Sequence, residues 1–327
     1  MKKLLFILSL IVCSVFVLTS CDDDFTYNIV VTNFPGYDAA RAMTKGTNKS
    51  IKMLLTPGSD AHSFDPSASD IAACLKCEVF VYVGGESDEE WVENNILANV
   101  TENTKVVSMF DVLEGSLYEE EDHEEENHEN HEEEYDEHVW TDPTNFVKIV
   151  EAVKNALVTI DNDNKDKYEK NYEEYKNELL KLDEEMKAVV EFANRDTIVL
   201  ADRNPFLYFE KHYGVEVVGA FPGCGTVEAI SAQKKTKLID AIKTNNLDTV
   251  FILETTDENN SAGMDIVNEI NSQINSGKYN GNVVEIKTLY AMENPSKADF
   301  GNGKTYIDMF NHNIGVISFA LNTIKEW

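Results

Sequence analysis

Residues 163–194 read DNKDKYEKNYEEYKNELLKLDEEMKAVVEFAN, without a glycine or a proline, and Tyr168, Tyr172, Tyr175, Leu179, Leu182, Met186 and Val189 recur at spacings of three and four. That period puts the seven on one face of an α-helix and leaves the charged residues on the other. At 1.5 Å per residue such a helix would reach about 45 Å, longer than one small lobe needs. The stretch therefore predicts a rigid spine joining two lobes.

Apolar, β-rich runs alternate with helix-like stretches on both sides of it. They are Ile29 to Thr32, Ile51 to Leu55, Val79 to Val83 and Val106 to Ser108 before the spine, and Thr197 to Ala201, Val215 to Phe221, Thr249 to Glu254 and Val283 to Ile286 after it. Strands alternating with helices read as parallel sheets covered on both faces. The predicted fold is α/β, with two lobes, each a parallel four-stranded sheet flanked by helices, joined by one long rigid helix and facing each other across a cleft. The expected division is 1–21 signal peptide and lipidated cysteine, 22–162 N-terminal lobe, 163–194 spine and 195–327 C-terminal lobe. Only this parallel of patterns suggests duplication, because the two halves share no sequence repeat.

Ligands of open α/β sheets bind beyond the carboxyl ends of strands. His62 follows the second run and His138 the fourth, so the two are predicted to converge on one rim. Just before His138 lies an acidic tract, from Glu114 to Glu137, with 14 Asp and Glu, no Lys or Arg, and the histidines His123, His128 and His131. Imidazoles and carboxylates ligate divalent metals without a preformed pocket. The tract is read as a disordered loop over 114–137 that gathers metal weakly, with a solvated charge run carrying incidental histidines as the plainer alternative.

At 327 residues and 43% apolar the chain has enough material for two packed cores, and its net charge of −31 opposes nucleic acid and anionic lipid and favours cations. Lys2, Lys3, the apolar run from Leu4 to Val17 and Leu18-Thr19-Ser20-Cys21 read as a secretory signal, too short to span a bilayer of roughly 30 Å. The small residues before Cys21 resemble a lipobox, the pattern of bacterial lipoproteins, which implies acylation of Cys21 and a tether to the membrane. Cys74, Cys77 and Cys224 would remain, an odd number that excludes a fully paired framework. Cys74-Leu-Lys-Cys77 invites a zinc or redox reading, but no second C-x-x-C is present to complete four ligands, and two thiols on one helix are the plainer reading.

Taken together, these residues resemble the zinc and manganese solute-binding lipoproteins of bacterial ABC importers, the solute-binding protein 9 family. Gly58-Ser-Asp-Ala-His62-Ser-Phe64-Asp65-Pro66 with Asp70, Tyr82-Val-Gly84-Gly85 with Trp91, His138-Val-Trp140-Thr-Asp142-Pro143, and Thr305-Tyr306-Ile-Asp308-Met309 with Asn313 are similar to the family's motifs and occur in its order. The resemblance implies a metal held in the cleft by side chains of both lobes, with His62 and His138 as the N-lobe ligands. Two neutral imidazoles suit Zn²⁺ at about 2.0–2.1 Å, and carboxylates or carbonyls would be needed to fix their tautomers.

The chain departs from the family at the third ligand. In Asp202-Arg203-Asn204-Pro205-Phe206 an arginine stands where a ligand is usual, and arginine is never deprotonated in a protein. A branch of the family with such a segment and a Phe-Pro-Gly-Cys like Phe221 to Cys224 carries a later His-x-x-His. Here Tyr290-Ala-Met-Glu293-Asn294 replaces it. Glu293 is the expected C-lobe ligand, in competition with Asp202 and Glu254. Arg203 is expected to pair with one of those two carboxylates, and Cys224 offers a soft thiolate or is simply a turn cysteine. His212 and His312 are expected to be helix-surface or packing residues.

The resemblance implies a binding module that captures Zn²⁺, or less favourably Mn²⁺ or Fe²⁺, and delivers it to a permease driven by a separate ATPase subunit. The chain is expected to act as a monomer, and it carries no phosphate-binding Gly-x-x-x-x-Gly-Lys-Ser/Thr of its own. Two rival readings are a metallohydrolase, since two histidines and a carboxylate also describe catalytic zinc, and a surface adhesin or zinc buffer resting on the tethered loop.

Overall fold

The computed structural model describes residues 26–120, 135–223, 230–256 and 261–322. Cys21, His123, His128, His131 and Cys224 lie outside the described residues. In the first lobe β1 (Ile29–Val31), α1 (Phe34–Met43), β2 (Ile51–Met53), α2 (Ala68–Lys76), β3 (Val79–Tyr82), α3 (Glu89–Val92), β4 (Lys105–Ser108), α4 (Met109–Val112) and α5 (Pro143–Ile160) follow in order. Next come the spine α6 (Lys165–Glu191) and then β5 (Thr197–Arg203), α7 (Leu207–Tyr213), β6 (Glu216–Phe221), α8 (Ala232–Thr244), β7 (Thr249–Leu253), α9 (Ala262–Asn275), β8 (Glu285–Leu289), α10 (Lys297–Gly301) and α11 (Tyr306–Ala320).

The strands form two four-stranded sheets, ordered β2-β1-β3-β4 and β6-β5-β7-β8, and every pairing is parallel. Each sheet thus reverses its strand order between two central strands, the place where open α/β sheets collect ligands. Burial explains which strands are central. β1, β3 and β7 are buried at every position, whereas the edge strand β2 is only half-buried. β8 lies further along the chain than expected, and Val283, read as its start, is 69% exposed.

α6 begins after a 3-10 turn at Asn162–Asn164, and all seven residues of its predicted apolar face are buried. Its 27 residues make a rod of about 40 Å. One end grips the first lobe, where the Asn171 side chain donates to the backbone carbonyls of Met43 and Lys45 and the Tyr175 hydroxyl donates to the buried Asp38. Further along, Asp183 takes His212 and Tyr213 of the second lobe. One continuous apolar core therefore runs from Ile29 and Val81 through the spine to Phe251 and Tyr306, with smaller cores on the outer face of each sheet. Among the described residues no helix is long and apolar enough to cross a membrane.

Both ends of the acidic tract belong to the fold, which corrects the loop bounds of 114–137. Glu119 and Tyr135 form an antiparallel bridge, the Asp136 N–H donates to the Tyr118 carbonyl, and Asp136 and Glu137 are each 1% exposed.

Candidate metal centre

The residues His138 to Pro143 divide three tasks among them. Asp142 caps α5 by accepting from the Thr144 N–H at 2.7 Å, with Pro143 in the first turn, where its missing N–H costs nothing. Trp140 is buried and its Nε1–H donates to the Ala291 carbonyl of the other lobe at 2.9 Å, while its own carbonyl accepts from the Tyr306 hydroxyl at 2.7 Å. His138 is held between these anchors, fully buried. Its backbone N–H donates to Asp136 Oδ1 at 2.8 Å, and its Nδ1 lies 3.3 Å from the same oxygen.

In the neutral imidazole, a proton on Nδ1 directed at Asp136 would put the lone pair on Nε2. That atom is buried and has no hydrogen-bond partner among the described residues. The same is true of His62 Nε2, in the loop that follows β2. His62 Nδ1 faces Glu137 Oε2 at 3.9 Å, and Glu137 itself is fixed by the Ser87 N–H, which donates to Oε1 at 2.6 Å. Glu137 comes this close because residue 85 is glycine, where a Cβ would stand 2.5 Å from Oε1. In the same way Gly223 allows its backbone to lie against Asp136 and His138.

Both free Nε2 atoms point at one oxygen. Glu293 Oε1 is 3.9 Å from His62 Nε2 and 3.9 Å from His138 Nε2, and the three ligand atoms lie within 4.8 Å of one another. Zinc bonds of 2.0–2.1 Å in a tetrahedron put neighbouring ligands about 3.3 Å apart. Shortening the two 3.9 Å separations by about 0.6 Å and the imidazole pair by at most about 1.5 Å would close this group on an ion. Two buried imidazole nitrogens without partners beside a buried carboxylate fit a divalent cation, since polar atoms are rarely left unpaired in an interior.

Glu293 follows β8 in a loop pinned on every side. Its backbone carbonyl accepts from the Phe34 N–H at 3.1 Å, and the Asn294 side chain donates to the carbonyls of Thr56 and Ser59 at 2.8 and 2.7 Å. Glu254 accepts from the N–H groups of Ala291 and Met292 at 3.0 and 3.3 Å, and Met292 has a φ of +59°. Asn313 on α11 completes the support by bonding both backbone groups of Tyr290.

Asp202 and Glu254, the competing ligand candidates, are committed to this framework. Asp202 accepts from the Arg203 N–H, the Leu253 N–H and the Thr256 hydroxyl. Arg203, expected to pair with one of those two carboxylates, instead reaches Glu293 Oε2 at 3.3 Å through Nη2 and Asp60 Oδ1 at 3.0 Å through Nη1. The difference has a simple cause: Asp202 and Glu254 already spend their oxygens on backbone donors. A cavity of about 610 Å³ bordered by Asp60, Arg203, Glu254 and Glu293 adjoins the group.

The charges follow from this packing. Burial pushes the His62 imidazole below its ordinary value. Burial acts on His138 in the same sense, but the Asp136 carboxylate, with Glu293 behind it, outweighs it and raises the group to about 9. Burial raises Glu137 to about 8 and Glu254 to about 7, against the N–H groups that stabilise their ionised forms.

Asp136, Glu137, Asp60 and Asn294 were not singled out by sequence as parts of the site, and the first two were hidden in the acidic run. A signal did exist for that pair, since Asp136 and Glu137 directly precede an ordered motif. His212 is no isolated surface residue. It joins three parts of the fold, with Nδ1 3.2 Å from Asp142 and Nε2 2.7 Å from Asp183. His312 packs edge-on against Tyr290 and lies 3.0 Å from the Thr288 carbonyl, away from the centre. Cys74 and Cys77 are free, buried thiols that burial pushes up to about 12, so neither is a thiolate at neutral pH.

A family model described as "ZnuA: Zinc-uptake complex component A periplasmic" matches residues 29–320. The zinc-binding lipoprotein AdcA of Streptococcus pneumoniae (strain ATCC BAA-255 / R6) is 26% identical over 323 residues, which are 96% of this chain and 60% of AdcA. The chain thus spans about 60% of that relative's length. The manganese-binding lipoprotein MntA of Halalkalibacterium halodurans is 26% identical over 301 residues, 90% of this chain and 88% of MntA. The solved Zn(II)-bound ZnuA-like domain of Streptococcus pneumoniae AdcA shares the fold, with a TM-score of 0.69 at 22% identity over 91% of this chain and 100% of that domain.

Proposed function

Since the chain belongs to the family of zinc-uptake complex component A, we propose that it captures Zn²⁺ outside the cytoplasm and delivers it to a membrane permease worked by a separate ATPase subunit. The family is one of uptake components and not of enzymes, which removes the metallohydrolase reading.

His62, His138 and Glu293 are the proposed ligands, with water as a fourth. The observation that carries this is the pair of buried, unpartnered Nε2 atoms aimed at one carboxylate oxygen. Two nitrogens and one oxygen from the protein suit four-coordinate zinc. Manganese is the second reading, favoured by the similarity to MntA. The division into signal through Cys21, lobes 22–162 and 195–327 and spine 163–194 belongs to the same proposal, as do the lipid anchor on Cys21, the monomeric state and weak metal capture by His123, His128 and His131.

Calorimetric titration of the metal-free chain tests this reading. One tight zinc site is expected, lost on His62→Ala or His138→Ala and kept when 121–134 are deleted. That deletion spares Asp136 and Glu137. A tight site that survives both histidine substitutions, or vanishes with the loop alone, would overturn the proposal.

A further inference from the structure

We infer that Arg203 sets the metal preference of the cleft by confining Glu293 to ligation through one oxygen. The inference rests on the reading that His62, His138 and Glu293 hold the ion. Glu293 divides its two oxygens between different partners: Oε1 faces both imidazoles at 3.9 Å, and Oε2 is taken by Arg203 Nη2 at 3.3 Å. Both side chains are largely withdrawn from solvent, that of Arg203 11% exposed and that of Glu293 7%. The Glu293 backbone is also fixed, by Phe34 on one side and by Asn294 on the other. Swinging Oε2 toward an ion would break the guanidinium contact and leave Arg203 with Asp60 alone, a loss that is costly for a largely buried charge.

The consequence differs between metals. Zinc is satisfied by four ligands and accepts imidazole readily, whereas manganese favours six and an oxygen-rich set. A two-oxygen Glu293 would give manganese four protein donors, and a one-oxygen Glu293 gives it three. The positive charge of Arg203 cannot itself discriminate, because it repels two divalent ions alike. It weakens both, and only the number of oxygens separates them. Arg203 also holds Asp60 Oδ1 at 3.0 Å, on the loop that carries His62, and so keeps a second carboxylate from joining the ion.

Arg203→Met removes the fork and the charge at similar length. Competition titrations with a metal-sensitive dye should show wild type preferring Zn²⁺ to Mn²⁺ by on the order of a hundredfold or more, in the direction of the usual affinity order. In Arg203→Met the ratio should narrow by about tenfold, mainly through tighter manganese. An unchanged ratio in Arg203→Met, with zinc still bound, would overturn the inference and leave the proposed function intact. Tight zinc binding that survives the histidine substitutions would instead overturn the proposed function. Should Arg203→Met fail to fold, X-ray absorption of the metal-loaded wild type still decides: two imidazole nitrogens and one carboxylate oxygen are expected, and a two-oxygen carboxylate refutes the inference.

Discussion

Protons should compete with the metal at His138, and the structure sets the size of the effect. Burial opposes charge on this imidazole, but Asp136 and Glu293 overcome it and raise the group to about 9, so His138 is expected to carry a proton at neutral pH in the metal-free protein. An ion can bind only after that proton leaves. Between about pH 6.5 and 9, apparent zinc affinity should therefore rise about tenfold per pH unit, or about 1.36 kcal/mol. His62, lowered by burial, stays neutral in that range and steepens the dependence only at lower pH. Glu137, raised to about 8 by burial, adds up to one more proton, because a nearby dication favours its ionised form. Calorimetry in buffers of different ionisation enthalpy should count one to two protons released per zinc at pH 7.

Stability of the metal-free protein should run the opposite way. A folded value of about 9 for His138 against an ordinary 6.5 means that its stabilisation is complete below pH 6.5 and lost as pH rises through 9. At about 1.36 kcal/mol per unit the loss is about 3 kcal/mol, and Glu137 adds to it with the same sign. Thermal melts should fall with rising pH without metal, while the gain from added zinc grows. A zinc affinity that is flat between pH 6.5 and 8.5, with no proton released, would refute the account of the Asp136, His138 and Glu293 charges.

Two substitutions probe the supports. Gly85→Ala puts a Cβ 2.5 Å from Glu137 Oε1, in a side chain too buried to move aside freely, and should cost about 1–3 kcal/mol in denaturant unfolding and weaken zinc through His62; wild-type stability would show that Glu137 is not tightly packed. His212→Gln removes the imidazole contacts to Asp142 and Asp183 and should lower stability by about 1–3 kcal/mol with one zinc still bound per chain. An unchanged melting temperature would mean that this junction adds nothing.

The spine and the sheets were legible because their information is local. The apolar face of α6 repeats along 27 residues, and each β-rich run stands between polar turns. The two histidines were legible through their motifs and their place after strands. Glu293 was harder, since the loop that carries it is shaped by distant residues, Glu254, Asn313 and Phe34, which no local pattern connects. The pairing of Arg203 failed at sequence level for the same reason: which carboxylate is free depends on which backbone donors have claimed the others. Composition also disguised Asp136 and Glu137, because a buried acid next to a run of solvated ones looks the same in one dimension.

Glu293 has a second attachment whose effect is mechanical. Its carboxylate faces the two histidines, while its backbone carbonyl accepts a hydrogen bond from Phe34 in the opposite lobe. Separating the lobes must therefore break that backbone bond in the same stroke that draws the ligand away from the histidines. Zinc–oxygen bonds of about 2.0–2.2 Å tolerate little stretching, so a small opening would sever the grip. An ion held by His62, His138 and Glu293 would then be expected to leave as the cleft opens, and a partner that wedges the lobes apart would act as the release catch.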